Sequence, residues 1–291
     1  MSIRTFVKRL TSERWNIGFI NNSLESILRG DTISVKWLKH SYKDRWFADP
    51  FILSVTEDEI IVLVEEFYKP IQRGRLARLL IDRKTTTLMR LDVILELDTH
   101  LSFPIIERNG DEIYIYPENG ESGNLTVYKY DDNQRKCEKV RIISNEALAD
   151  SVKLKYQGIN YLFATPTNNP NGNTLRVYSL NDQNGMYEAF KEYSFKENTA
   201  RMAGDFFMFK EKLYRPAQEC NVQYGHAVVL QEVINNGGEW CFEEVRRLYS
   251  VHPNLNIGMH TFNMYDGMIV TDALGFDRMW IRKILKIIGI I

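Results

Sequence analysis

The chain repeats itself roughly every 50 residues. Five segments share one register: 48–67, 102–120, 149–167, 203–218 and 260–275. Each opens on small or polar residues and runs into a short apolar strand. A tight turn follows (Thr56–Glu59, Asn109–Asp111, Gln157–Gly158, Lys210–Lys212, Tyr265–Gly267), then a second strand. Two further strands usually precede the next copy, such as RLARLLID (75–82) and NLTVYKYD (124–131). A period of this length signals a propeller, because one such unit cannot bury its own faces and must stack on its neighbours. A four-stranded unit repeated five times predicts an all-β, five-bladed β-propeller. A β-sandwich or an irregular all-β fold is the alternative, and it accounts less well for the repeat.

Composition agrees with strands. Aromatic residues make up 12% of the 291 (15 Tyr, 15 Phe, 5 Trp), and these pack well on a pleated surface. Hydrophobic residues at 44% and charged residues at 26% are globular values and exclude disorder. With 37 Lys+Arg against 38 Asp+Glu, the net charge of −1 argues against an electrostatic nucleic-acid binder. Cys137, Cys220 and Cys241 are scattered, with no CxxC spacing, and read as reduced thiols. Charges at Arg4, Lys8 and Arg9 interrupt the opening residues, so no secretion signal is expected. Two sequons, at Asn21 and Asn124, are therefore read as chance. Helix is expected only near Ser23–Leu28, Asn145–Ala149 and the C-terminus.

Three parts follow: an N-terminal segment (1–44), the propeller (45–276) and a basic apolar C-terminal helix (277–291). RWNIGFI (14–20) is expected to close the ring by adding a strand to the last blade, which lacks strands after Gly275. In DRMWIRKILKIIGII (277–291), four bases alternate with Trp, Leu and Ile. That pattern suits an interfacial anchor and equally a helix docked on the domain.

In a propeller the first strand of each blade lines the central channel, so the strand starts converge at one mouth. Those starts bring Asp49, His100 with Ser102 and Phe103, Asp150, the Arg201–Asp205 segment and His260. The second-strand ends bring Glu65 or Glu66, Glu118, Thr165, Arg215 with Gln218, and Asp272. Glu65 and Glu66 point to opposite faces, so at most one faces the channel. A polar funnel of carboxylates, imidazoles, guanidinium groups and amides suits sugar hydroxyls. Trp46, Phe47 and Phe103 are candidates to stack on a sugar ring. Asp205 and Asp272 read as structural or peripheral.

Two carboxylates also allow acid–base work, and Asp49 and Glu118 come from adjacent blades. His100, Ser102, Asp150, Arg201, Arg215, Gln218 and His260 are the expected substrate-binding set. No phosphate loop, GxGxxG, Asp-x-Asp, HExxH or GxSxG occurs. No cofactor and no metal are expected.

RWFADPF (45–51), HLSFPII (100–106), YIYPEN (114–119), RMAGDFF (201–207), LYRPAQ (213–218) and GMHTFN (258–263) come in order. Together they resemble the N-terminal domain of plant glucosamine inositolphosphorylceramide transferase and its bacterial relatives, over about residues 45–275. The resemblance implies a five-bladed propeller related to glycoside hydrolase families 43, 32 and 68. It also implies a place in surface-polysaccharide or glycolipid assembly. In family 43 an Asp in an ADP-type motif of the first blade is the general base, and Asp49 matches it. The rest of that trio does not match. The second blade offers Phe103-Pro104 at the motif and Glu118 at its second-strand end. The third offers Asp150, with no Glu at its second-strand end.

Three functions compete. The first is glycosyl transfer from a nucleotide-sugar or lipid-linked sugar. Asp49 would be base or stabiliser and Glu118 acid or hydroxyl ligand, with Arg201, Arg215 and His260 holding an anionic donor. The second is a non-catalytic sugar-binding propeller that partners a transferase. The third is a glycoside hydrolase. The expected location is cytoplasmic, with peripheral contact at the inner face of the membrane through 277–291.

Overall fold

The computed structural model describes residues 12–278 together with 281, 282 and 287. Strand β1 (Glu13–Ile20), helix α1 (Leu24–Arg29) and β2 (Val35–Trp37) come first. Ser23 caps α1 by accepting the Ser26 N–H, and Gly30, at φ 111°, ends it. The first blade is β3 (Arg45–Val55), β4 (Glu59–Tyr68), β5 (Arg73–Asp82) and β6 (Thr87–Leu95). The second is β7 (Ile106–Asn109), β8 (Glu112–Ile115), β9 (Leu125–Asp131) and β10 (Lys136–Ser144). The third is β11 (Leu148–Tyr156), β12 (Ile159–Pro166), β13 (Thr174–Asn181) and β14 (Met186–Ser194). The fourth is β15 (Phe207–Phe209), β16 (Lys212–Glu219), β17 (Ala227–Asn236) and β18 (Glu239–Leu248). The fifth joins β19 (Phe262–Tyr265) and β20 (Met268–Phe276) to β1 and β2.

The five sheets are each four-stranded and antiparallel, so the chain is a five-bladed propeller. The ring closes where the sequence indicated, but with two strands rather than one. β1 pairs with β20 along its length, from Glu13 opposite Phe276 to Ile20 opposite Ile269, and β2 adds outside it. This ties the two ends of the described chain into one sheet.

Burial follows position in the blade. The middle strands are covered on both faces by neighbouring blades, so Val62, Leu63 and Val64 run consecutively with none exposed. The outermost strands have one neighbour and face water. β10 and β18 accordingly carry KCEKVRIIS and EWCFEEVRRL, whose charges discourage edge-to-edge pairing. Trp240 fills the seam between the third and fourth blades, edge-on to Tyr156, Tyr161 and Phe163.

Two helix expectations need comment. Asn145–Ala149 is not helical: residues 145–146 bend and β11 begins at Leu148, because the apolar side chains there enter the blade core. The expected helix at 277–291 lies mostly outside the described residues. Among the described residues, no helix is long and apolar enough to cross a membrane.

One irregularity recurs in every blade and builds the site. Near its start the inner strand takes one or two more residues than its partner. Ala48 faces Glu65 but Phe51 faces Leu63, and Ala149 faces Thr165 but Val152 faces Phe163. The other blades skip likewise between Ser102–Glu118 and Ile106–Ile115, Met202–Ala217 and Phe207–Tyr214, and Gly258–Leu274 and Phe262–Thr271. A bulge frees backbone groups from the ladder and re-aims a side chain. Repeated around a ring, it aims them all at one mouth.

Candidate active site

In three consecutive blades the bulged residue is left-handed without being glycine: Asp49 (φ 49°), Phe103 (φ 46°) and Asp150 (φ 44°). Each such residue costs about 1 kcal/mol or more. What offsets the strain is visible in the hydrogen bonds. The turned N–H of each residue reaches back to a carboxylate on the preceding blade. Asp49 donates to Asp272 Oδ2 at 3.2 Å, Phe103 to Asp49 Oδ2 at 3.0 Å, and Asp150 to Glu118 Oε2 at 3.0 Å. The strained positions thus form a relay that fixes the buried carboxyl groups of Asp272 and Asp49 and the part-buried one of Glu118.

His260 sits at the start of this relay. Its Nδ1 lies 2.6 Å from Asp272 Oδ2 and its Nε2 lies 3.4 Å from Asp49 Oδ1. Trp15 stacks on the imidazole with ring centres 4.0 Å apart. Burial alone would lower the His260 pKa, but the flanking Asp272 and Asp49 raise it from the ordinary 6.5 to about 9. Burial pushes Asp49 the other way from its normal range, up to about 8, against the pull of His260. Asp272 is buried too, yet His260 and the Thr261 side chain leave it below the usual carboxylate range. Its Oδ1 also accepts the N–H groups of His260 and Thr261.

These shifts carry a pH dependence. A histidine whose pKa is raised on folding contributes stability that is complete below 6.5 and is lost as pH rises through about 9. Asp49, also raised, acts in the same direction: its contribution is present below the ordinary carboxylate range and lost as pH rises through about 8. The unfolding midpoint in urea should therefore fall between pH 6.5 and 9.5. His260→Gln should flatten that fall, and an equally steep profile in the variant would exclude His260 as its source.

The second half of the site is a guanidinium between acids. Arg201 Nε donates to Asp150 Oδ2 at 2.5 Å, Nη2 to Glu118 Oε2 at 3.0 Å and Nη1 to Asn171 Oδ1 at 3.1 Å. Gln218 Nε2 donates to the same Asp150 oxygen at 2.6 Å and to the Met202 carbonyl at 2.9 Å. Burial raises Glu118 well above its usual value despite Arg201. Gln218 Oε1, Ser151 Oγ and Thr165 Oγ1 are buried with no partner in the protein. Such orphaned groups in a polar channel are places for water or substrate hydroxyls.

Six residues named from the sequence thus converge: Asp49, Glu118, Asp150, Arg201, Gln218 and His260. Ser102 contributes through its backbone, exchanging two hydrogen bonds with Glu118. His100 stands at the rim with its side chain 40% exposed, its Nε2 3.1 Å from Glu65 Oε1. Gly74 allows that contact, since a Cβ there would lie 2.6 Å from Glu65 Oε1 and 2.8 Å from His100 Cε1. Glu66, on the opposite face of β4, is held by Arg45 and Arg75.

Arg215 does not join them, contrary to the sequence expectation. It is fully buried in the inter-blade core, where its guanidinium donates to Gln231, Met202 Sδ and the carbonyls of Thr199 and Ala200. Burial lowers its pKa to about 9. Arg215→Met should cost about 3 kcal/mol by orphaning those acceptors, measured by urea unfolding, and leave saccharide affinity unchanged. A selective loss of affinity at unchanged stability would return Arg215 to the site. Phe47 and Phe103 are likewise fully buried, Phe103 edge-on to Phe51, so neither is available for sugar stacking.

The aromatic wall joins Trp46, which the sequence offered for sugar stacking, to residues that sequence reasoning passed over. Tyr224, in the loop after β16, meets His260 edge-on at 5.3 Å and lies 5.0 Å beneath the Arg201 guanidinium. Trp15 lies beside Trp46, which stacks flat on Phe67 at 4.7 Å. Asp272, expected to be peripheral, is central. Its position opposite the His260 turn was the available signal. Tyr224, Trp15 and Asn171 fall outside the repeat register and gave none.

Asp49, His260 and Asp272 each offer a ligand atom within 4.8 Å of the others, a donor set that no sequence spacing had shown. It fits a cation poorly. Phe103 N–H occupies Asp49 Oδ2, three backbone N–H groups occupy Asp272, and both imidazole nitrogens face carboxylates.

Against known proteins, a rice (Oryza sativa subsp. indica) glucosamine inositolphosphorylceramide transferase 1 is 26% identical over 208 residues. That match covers 66% of this chain and 27% of the rice protein, so the chain spans about a quarter of the curated relative. Among solved structures, RS223 β-xylosidase superposes with a TM-score of 0.56 at 9% identity, covering 79% of this chain and 92% of that one. A GH43_1 enzyme from Xanthomonas citri gives 0.53 at 10% identity, covering 80% and 88%. At such identities the likeness shows a shared fold. The model of one family matches residues 32–268, a span that includes Asp49, Glu118, Asp150, Arg201, Gln218 and His260, and the chain belongs to that family, Glucosamine inositolphosphorylceramide transferase 1, N-terminal.

Proposed function

We propose that the chain is a carbohydrate-active propeller that transfers a glycosyl unit at the carboxylate relay, with Asp49 at the reacting centre. The observation that carries this reading is the state of Asp49. It is buried, held by the Phe103 N–H, and its carboxyl is pushed up to about 8 beside His260. A group poised near neutral pH can take or give a proton during sugar transfer. Glu118, Asp150 and Gln218 supply acceptors and an amide for hydroxyls, and the Trp46, Phe67 and Tyr224 wall supplies apolar faces for a sugar ring.

The transferase name of the relative supports the same class of chemistry. The two cations in the cluster, Arg201 and His260, are each flanked by two carboxylates. The mouth therefore suits the saccharide of a nucleotide-sugar or lipid-linked donor better than its phosphates. Under the same proposal the chain works in the cytoplasm at the inner face of the membrane, which the basic apolar stretch 277–291 supports.

One observation favours a second reading, saccharide binding without chemistry. Arg201 already bridges Glu118 and Asp150, which leaves those two acids less free to act on substrate. Incubating the purified chain with panels of nucleotide-sugars and lipid-linked sugars, each with lipid and glycan acceptors, and weighing the products separates the two. New glycosides that disappear in Asp49→Asn support transfer. Saccharide binding without product in any combination supports the second reading.

A further inference from the structure

The channel has a second end, and its chemistry is the reverse of the first. β11 passes from Asp150 at the carboxylate mouth to Lys153, Leu154 and Lys155 toward the other end. Two cavities flank that strand, about 410 Å³ between the second and third blades and about 490 Å³ between the third and fourth. They share Lys153, Leu154, Lys155 and Asp205. Each volume falls in the range of small-molecule pockets.

The cleft between the second and third blades is basic. Its charged lining is Arg108, Arg141, Lys153 and Lys155 against Glu107 and Asp205. Glu107 is already matched, 2.6 Å from Lys153 Nζ. Asp205 Oδ1 is engaged by the Phe206 N–H. Arg108 is preplaced: its Nη2 donates to the carbonyls of Ile52 and Leu53 on the neighbouring first blade, and its guanidinium lies 3.8 Å from the centre of the Tyr265 ring. Arg141 donates to the Gly185 carbonyl, and Lys155 has no ion-pair partner among the described residues. A cluster of preplaced guanidinium and ammonium groups is a site for an oxyanion. Beside them the Lys153 ammonium lies 4.4 Å from the centre of the Tyr116 ring and 6.0 Å from that of Tyr187, and Tyr161 and Leu180 complete an apolar wall.

We propose that this cleft, at the channel end opposite the carboxylate relay, binds a sugar phosphate, its phosphate held by Arg108, Arg141 and Lys155 and its ring against the tyrosines. The site is separate from the one assigned above and stands whether or not Asp49 is catalytic.

Calorimetric titration of the whole chain with glucose 6-phosphate, with glucose as control, tests it. The expected result is a Kd below about 1 mM for the phosphate and none measurable for glucose, with affinity falling as salt is added. Arg141 and Lys155 are both exposed, so Arg141→Gln with Lys155→Gln should fold normally and weaken binding about tenfold or more. Asp49→Asn should leave the affinity unchanged. Equal binding of glucose, full affinity in the double variant, or loss of binding in Asp49→Asn would each overturn the proposal, the last by moving the ligand to the other mouth.

Discussion

Asp49→Asn is expected to lower glycosyl transfer by about 10²–10⁴-fold, the range for losing a positioned proton-transfer group, with the melting temperature within a few degrees of the parent. The two halves of that expectation come from different bonds. Asn keeps a carbonyl oxygen where Asp49 Oδ2 accepts the Phe103 N–H, and its own N–H still reaches Asp272. The backbone strain at φ 49° is also tolerated by Asn, which adopts the left-handed region more readily than most residues. What Asn cannot do is ionise. The parent rate should change around pH 8, where the Asp49 carboxyl titrates, and that limb should vanish in the variant. His260 loses one of its two carboxylate neighbours, so its raised pKa should fall while Asp272 keeps it above the ordinary value. An active Asp49→Asn with an unchanged pH profile would remove Asp49 from the reacting centre.

The fold was legible because the propeller writes its period into the chain. Small or polar strand starts, apolar pairs and tight polar turns recur five times, three of the turns marked by Gly, and no local ambiguity survives that many copies. Asp49, Asp150 and His260 were found by the same register, since equivalent positions in a ring must converge. The register also misled at Arg215. Position in a strand tells how near a residue lies to the mouth, but not to which side a long side chain folds. Arg215 turns into the seam between blades, where Phe195 and Phe242 cover it. Phe103 is a subtler case. Its side chain lies in the core, yet its N–H is a working part of the relay, because the bulge turns the backbone regardless of side chain. A left-handed Phe looks like an error in a one-dimensional reading and becomes intelligible once its N–H is seen on Asp49. Tyr224 and Trp15 come from a loop and from the ring-closing strand, elements whose place depends on tertiary closure.

Arg201 should prove the most costly residue of the cluster to remove. It is nearly buried, and its side chain is the only cation bonded to Asp150 and Glu118 among the described residues. Removing one partner of a buried ionic set leaves uncompensated charge and typically costs about 3–5 kcal/mol. Arg201→Met, which keeps the volume and drops the charge, should therefore lose about that much in urea unfolding. Part of the loss should be recoverable by protons. Glu118 is already raised by burial, and a raised acid contributes stability at low pH that disappears as pH climbs through its folded pKa. Without Arg201 nothing offsets the burial that already favours protonated Glu118, so the variant should be destabilised less at pH 5 than at pH 8. Adding Asp150→Asn should restore part of the stability at pH 8, since an amide there still meets Gln218 and needs no counter-charge. A uniform loss at both pH values, with no rescue by Asp150→Asn, would mean that Arg201 acts through packing against Tyr224. The Arg201 bridge would then not be what keeps two acids buried side by side at the mouth.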